Sequence, residues 1–219
     1  MNDRLDMTVT RTVHDALRRE LPHLAHAAAH RCSVCRADPR ETVGWHLLVT
    51  ALVIHQGAEE EALWPPLRRA LAGRPLDLAR VEAIEVEHCA LTALVDSIAG
   101  APADPDDGPG SLLDLITSFV TGLERHLDHE ESAVLPLVQA FLSQDQWDDF
   151  TRVHARRIAP ASPLLLPWLL DEADERTVTA VLSGLLPRSA WHGFTHRWRP
   201  AYAELDVWDS RGEACALLG

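Results

Sequence analysis

The sequence predicts an all-α fold: four long helices followed by a helical C-terminal extension. Three observations carry this. Of 219 residues, 47% are apolar but only 5% aromatic, and Ala, Leu, Val and Glu dominate, a composition that favours helix over strand. Apolar residues recur at three- and four-residue intervals, the period of one helix face. Fourteen prolines punctuate that pattern and argue against one continuous rod.

The first helix is expected to start near Thr8 or Thr10, with Val13, His14, Leu17, Leu21 and Leu24 on one stripe and Pro22 as a point of kinking. Residues 32 to 40, with Pro39, read as a loop. A second helix spans roughly Thr42 to Leu71 and turns Leu48, Leu52, His55, Glu59 and Leu63 inward, with Pro65 and Pro66 expected to kink or end it. A third runs from about Asp77 to Ile98, with Val81, Ile84, His88, Leu91 and Val95 in register. The stretch from Gly100 to Gly110 (GAPADPDDGPG) is the clearest linker. A fourth helix follows from about Leu112 and aligns Leu115, Phe119, Leu123, His126, Glu130 and Val134.

The character then changes. Ser143 and Gln146 have the spacing of a capping box for a fifth helix reaching His154. Shorter helical pieces follow, with breaks expected at Pro160, Pro163, Pro167 and Pro187. Five of the seven Trp lie beyond residue 145, which suits a segment built for packing. The organisation is therefore read as a bundle over residues 8–142 and a helical extension over 143–219 packed on it.

A formal charge of −13, with every basic residue an Arg, disfavours a nucleic-acid partner, because phosphate binding needs clustered cations. No run of ~20 apolar residues could span a bilayer, so no membrane role is expected. The first fifteen residues lack a basic region followed by an apolar one, and a cytoplasmic location is the expectation. Four cysteines with one close pair do not make a disulfide framework.

The chemistry is carried by a repeat. His55-Gln-Gly-Ala-Glu59-Glu-Glu-Ala-Leu-Trp-Pro65 aligns with His126-Leu-Asp-His-Glu130-Glu-Ser-Ala-Val-Leu-Pro136. In each copy His and Glu stand four apart and a Pro follows the Glu by six. Each copy is preceded by a helix bearing one inward His, His14 and His88. Residues four apart on a helix are offset by about 6 Å of rise and about 40° of rotation, so both side chains reach one point. Two such helices supply two imidazoles and two carboxylates, and the others add one imidazole each. Six donors of mixed N and O character suit two transition-metal ions with the carboxylates between them. Both pairs fall within apolar stripes, where an unpaired Glu costs roughly several kcal/mol to bury. A ferritin-type site would need Glu-x-x-His on two helices; Glu85-Val-Glu-His88 fits once, but Arg11, Leu52 and Leu123 stand three before the other histidines.

Over residues 10 to 140 this arrangement resembles hemerythrin-like proteins of the HHE cation-binding type. The resemblance implies an antiparallel up-down four-helix bundle and two non-haem Fe ions with an oxo or hydroxo bridge, positions that Mn or Zn could also occupy. It implies the ligands His14, His55, Glu59, His88, His126 and Glu130, with Glu59 and Glu130 bridging. The oxygen-carrying hemerythrins instead have two histidines four apart on the third helix and HxxxxD on the fourth. Here Ile84 and Thr92 flank His88 at that spacing, and Glu131 takes the Asp position. The expected function is binding of, or reaction with, dioxygen, nitric oxide or peroxide in sensing, scavenging or detoxification. An oxygen-activating oxidase or oxygenase acting on a small organic substrate is the alternative, and a module in which metal stabilises the fold is a third.

Other candidates read as less chemical. His129 is expected to flank the site. His23, His26 and His30 lie around the first helix from His14; His26 and His30 with Cys32 and Cys35 could bind zinc or act as a redox switch, although no second ligand pair accompanies them. His192 and His196 read as packing and surface positions, and Cys89 as packed against neighbouring helices.

Overall fold

The computed structural model describes residues 5–29, 38–102 and 111–208, and among these the chain is helical with no strand. His30, Cys32, Cys35 and most of the Gly100–Gly110 linker lie outside the described residues. Helix α1 (Thr8–Ala29) runs through Pro22 and buries Val13, His14, Leu17, Leu21 and Leu24. Helix α2 (Val43–Ala58) opens on Thr42, whose hydroxyl accepts from the Trp45 N–H at 3.2 Å, a cap that satisfies an otherwise orphan donor. It passes through a π-helical turn (Glu59–Leu63) into α3 (Trp64–Ala70). Helix α4 (Pro75–Gly100) starts with Pro at its first position, where no ladder bond is lost. Helix α5 (Leu112–His129) is capped by Ser111 and passes through a second π-turn (Glu130–Val134) into α6 (Leu135–Phe141).

The prolines of the repeat therefore do not end their helices. Pro65 and Pro136 have no N–H to return to the carbonyl four residues back. The residue before each donates instead five residues back, Trp64 to the Glu59 carbonyl and Leu135 to the Glu130 carbonyl. That bond closes a π-turn starting at the Glu, and the helix resumes beyond the Pro. The same device recurs at Phe194–Trp198, six residues before Pro200.

The extension comprises α7 (Gln144–Ile158), α8 (Ser162–Leu169), α9 (Glu175–Leu185), the short α10 (Trp191–Gly193) and α11 (Arg199–Ala203). The capping box at Ser143 is formed in both directions: Gln146 N–H donates to the Ser143 hydroxyl at 3.3 Å, and its side-chain oxygen accepts from Ser143 N–H at 2.9 Å. Pro167 lies inside α8 rather than breaking it. Helix α7 packs on α2 and the first π-turn, α8 on α1 and α2, and α9 on α1 and α7.

Buried apolar residues form two clusters. The first takes Leu17 to Leu24 of α1, Val43 to Leu52 of α2, Leu91 and Ile98 of α4, and Leu112 to Leu127 of α5, with much of the extension. The second takes Leu5 and Met7, then Ala58 to Leu71, Val81 and Ile84, Val134 to Leu142, and Trp147 and Phe150 of α7. On α5, Ile116 is buried with Phe119, Leu123 and Leu127, and Leu115 packs at the edge. Cys89 is exposed, so the packing expected of it is not found. No described helix is long and apolar enough to cross a membrane.

Val207 and Trp208, the last described residues of the extension, are seated on the start of α2 and on α1. Gly44 N–H donates to the Val207 carbonyl at 2.6 Å, and Trp208 Nε1–H donates to Glu20 Oε2 at 2.7 Å. A Cβ on Gly44 would lie 2.5 to 2.8 Å from Trp208 ring carbons. Gly44→Ala should therefore destabilise the protein by about 1–3 kcal/mol in urea unfolding. In a Trp208→Ala background most of that penalty should vanish, as a double-mutant cycle would read.

Candidate metal centre

Of the six residues singled out by the repeat, those of α2, α4 and α5 with their π-turns lie close to where the chain passes between the two apolar clusters, and His14 lies on α1 beside Val13 of the first. His14 comes from α1, His55 and Glu59 from α2 and its π-turn, His88 from α4, and His126 and Glu130 from α5 and its π-turn. All are at most 1% exposed. Their side chains converge. His14 Nε2 and His55 Nε2 are 2.9 Å apart, with ring centroids at 4.9 Å. The rings of His88 and His126 form a second pair, also at 4.9 Å. The carboxylates lie between the pairs. Glu59 Oε1 is 3.2 Å from His55 Nε2 while Oε2 is 3.4 Å from His88 Nε2. Glu130 Oε2 lies 3.4 Å from His14 Nε2, 3.8 Å from His55 Nε2 and 3.9 Å from His126 Nε2.

Donor atoms of His14, His55, Glu59 and Glu130 all fall within 4.8 Å of one another, a grouping that can hold a metal ion. The hydrogen bonding says the same. Both oxygens of Glu59, both of Glu130, both ring nitrogens of His88 and Nε2 of His126 are buried with no hydrogen-bond partner in the protein. Leaving so many polar atoms unpaired in a sealed interior costs far more than a domain can spare. A cation among them satisfies carboxylate oxygens and imidazole lone pairs together, and nitrogen and oxygen donors of this kind suit first-row transition metals.

Without an ion the cluster is electrostatically divided. Burial, then repulsion from Glu130, pushes Glu59 well above the usual carboxylate range. Burial acts on Glu130 in the same sense, but His14 and His55 outweigh it and hold Glu130 well below that range. Burial would lower His14, yet Glu130 and then Glu131 carry it up to about 9. His88 is pushed down to about 3 by burial and then by His126.

A second ring of residues backs the histidines. His14 Nδ1 is 2.8 Å from Glu131 Oε1, which also accepts from Arg18 at 2.7 Å; Arg18 reaches Asp128 at 2.8 Å. The His14 hydrogen bond, with that of Arg18, holds Glu131 down to about 2. His126 Nδ1 is 3.1 Å from Glu87 Oε2, whose other oxygen is 2.9 Å from His129 Nδ1. His129 thus flanks the cluster. Such backing sets the ring orientation and basicity of a ligating imidazole. Glu85 faces away and pairs with Arg68, which removes the one Glu-x-x-His match to a ferritin-type site.

Sequence reasoning did not single out Glu87, Arg18 or His154. Each acts across space rather than along a helix stripe, and only the acid adjoining His88 left a trace in the pattern. His154, from α7, is 1% exposed with its ring 5.8 Å from that of His55, and burial, then His55, pushes it down to about 3. His192 and His196 are exposed with rings 4.4 Å apart, away from the cluster's helices. His23 stacks on Trp208 at 6.2 Å.

The His14–Glu131 pair makes metal-free stability pH-dependent. Because its folded pKa is raised, His14 contributes stability that is complete below 6.5 and lost as pH rises through about 9. Glu131, with a depressed folded pKa, contributes stability present above 4.5 and lost as pH falls through about 2. In chelator, the stability gap between wild type and Glu131→Gln should be widest between pH 4.5 and 6.5 and narrow towards pH 9. Urea titrations across that range would show it; a gap independent of pH would mean that the two groups are not an ion pair.

No curated protein and no solved structure gives a significant match to the chain. The profile of the Hemerythrin HHE cation binding domain matches residues 7–138, the stretch that contains all six converging residues, and the chain belongs to that family.

Proposed function

We propose that this chain holds two iron ions within an antiparallel up-down four-helix bundle and binds or reacts with dioxygen, nitric oxide or peroxide. One observation carries the two-ion reading: the oxygens of Glu59 are divided between His55 of one imidazole pair and His88 of the other. His14 and His55 would hold one ion, His88 and His126 the other, with Glu59 and Glu130 between them. The alternating direction is supported by the apolar clusters. Helix α4 runs from the second cluster into the first and α2 from the first into the second; the chain enters α1 from Leu5 and Met7 of the second cluster and leaves α5 for Val134 to Leu142 of the same cluster.

Bound iron supplies one-electron chemistry and an open coordination position for a small ligand. The chain's own residues set the conditions. Four neutral imidazoles keep the site less anionic than an all-carboxylate one, which favours ligand binding and mild redox cycling over strong oxidation. Glu131 and Arg18 orient His14, and Glu87 orients His126. The surrounding apolar clusters exclude bulk water.

A second reading, an oxygen-activating enzyme with a small organic substrate, draws on a cavity of about 560 Å³. Arg11, Asp6, Thr8, Gln139 and Glu131 are among its lining residues, and it meets the centre only through Glu131 behind His14.

Full-length protein purified with iron should contain about two irons per chain, with charge-transfer absorption that bleaches on anaerobic reduction. His55→Ala and His126→Ala should each lose most of the metal while keeping their helix content. Absence of bound transition metal, with folding indifferent to both substitutions, would sink the proposal. Return of the absorption with dioxygen, nitric oxide or peroxide alone supports the first reading; uptake of dioxygen only when an organic substrate is supplied supports the second.

A further inference from the structure

We infer that His154 of α7, outside the matched family domain, is the positioning residue for His55. The inference rests on the metal centre proposed above. Helix α7 turns four residues inward, Trp147, Phe150, His154 and Ile158. Three are apolar, and the fourth is an imidazole set against an imidazole of the candidate centre. His154 is 1% exposed, and its ring lies 5.8 Å from Phe150 and 5.8 Å from His55, tilted by 37° to the latter.

The candidate ligands show why His55 needs such a neighbour. His14 and His126 each have Nδ1 tied to a carboxylate, Glu131 at 2.8 Å and Glu87 at 3.1 Å. His88 Nδ1 has Glu60 at 3.6 Å. His55 turns Nε2 towards His14 and Glu59, but its Nδ1 is buried with no hydrogen-bond partner, and so is Nδ1 of His154 in the ring beside it. The polar ring set behind His55 is His154. It adds no donor atom to the grouping of His14, His55, Glu59 and Glu130. A neutral imidazole can donate or accept, and a hydrogen bond between these two orphan nitrogens is the inferred step that would select the tautomer and ring orientation of His55.

The surroundings hold His154 in place. Helix α7 lies on α2 and on the π-turn that carries Glu59. On the outer side Arg157 donates to Glu61 at 2.8 Å and Arg156 pairs with the same carboxylate. Gly57 leaves room for this strap, since a Cβ there would meet the Arg157 guanidinium at 2.8 Å. The family domain thus receives one of its positioning groups from the appended helices.

The test is iron affinity of the full chain by chelator competition, with melting of the metal-free forms as control. His154→Phe should keep or raise the metal-free melting temperature yet bind iron about 10- to 100-fold more weakly, the usual cost of losing a ligand's backing group. His154→Gln should recover most of the affinity. Phe150→Leu, which loosens the same packing without removing a polar group, should lower stability but bind iron as wild type does. Should His154→Phe not fold, His154→Leu replaces it. Unchanged affinity in the apolar variant, or an equal loss in Phe150→Leu, would overturn the inference and leave His154 a packing residue. A wild-type chain that holds no iron would instead overturn the metal centre itself.

Discussion

Glu59 and Glu130 lie side by side at 0% exposure, each without a hydrogen-bond donor, in an interior otherwise built from Leu, Val, Ile and aromatic side chains. Two carboxylates in that position cannot both be ionised unless positive charge sits between them. In the metal-free chain the conflict is resolved by unequal protonation: Glu130 keeps its charge against His14, and Glu59 is driven towards its neutral form. The rest of the architecture serves this layer. Apolar clusters on both sides seal it, and four helices each bring at least one imidazole to its edge. A second ring of Glu131, Arg18 and Glu87 then takes up the outer nitrogens of His14 and His126.

The helices that carry the carboxylates use a backbone device to keep going. A Pro six residues after Glu59 and another after Glu130 remove ladder donors, and a π-turn takes up the mismatch so that each Glu stands at the start of a widened turn. The third π-turn separates cause from consequence. It begins at Phe194, precedes Pro200 by the same spacing and carries no acid at all. The turn therefore does not depend on a carboxylate, nor does a proline alone impose it, since Pro22 sits within unbroken α-helix.

The extension is bound into the bundle by specific contacts as well as by burial. Arg19 of α1 donates to the Trp168 carbonyl at 2.7 Å and the Asp171 carbonyl at 3.1 Å, and lies over the Trp168 ring. A cation at those carbonyls complements the negative end of α8. At the other side Trp147 Nε1–H donates to the Asp6 carbonyl at 3.0 Å, tying α7 to the segment that leads into α1. Helix α7 touches both the π-turn of Glu59 and the ring of His55. The appended helices therefore complete the wall around the buried layer.

What the sequence determined by itself was local in origin. The 3.6-residue period placed the long helices within a few residues, and the Ser143–Gln146 spacing marked a cap. The doubled His-x-x-x-Glu with its flanking His14 and His88 named the six side chains that converge, because residues four apart on a helix share a face wherever that helix lies. Most of the linker and the Cys32–Cys35 pair fall outside the described residues. Tertiary structure decided what depends on which helices meet and at what rotation. Glu131 backs His14 from another helix, Glu87 sits between His126 and His129, and Ile116 rather than Leu115 joins the buried stripe of α5. Pro65 and Pro136 were visible, but kinking, ending or bulging the helix all follow from a missing donor, and only packing against neighbours selects among them. His154 was the least legible, since its meaning lies in a contact with His55 from nearly a hundred residues away, and no periodicity along α7 records what its inward face will meet.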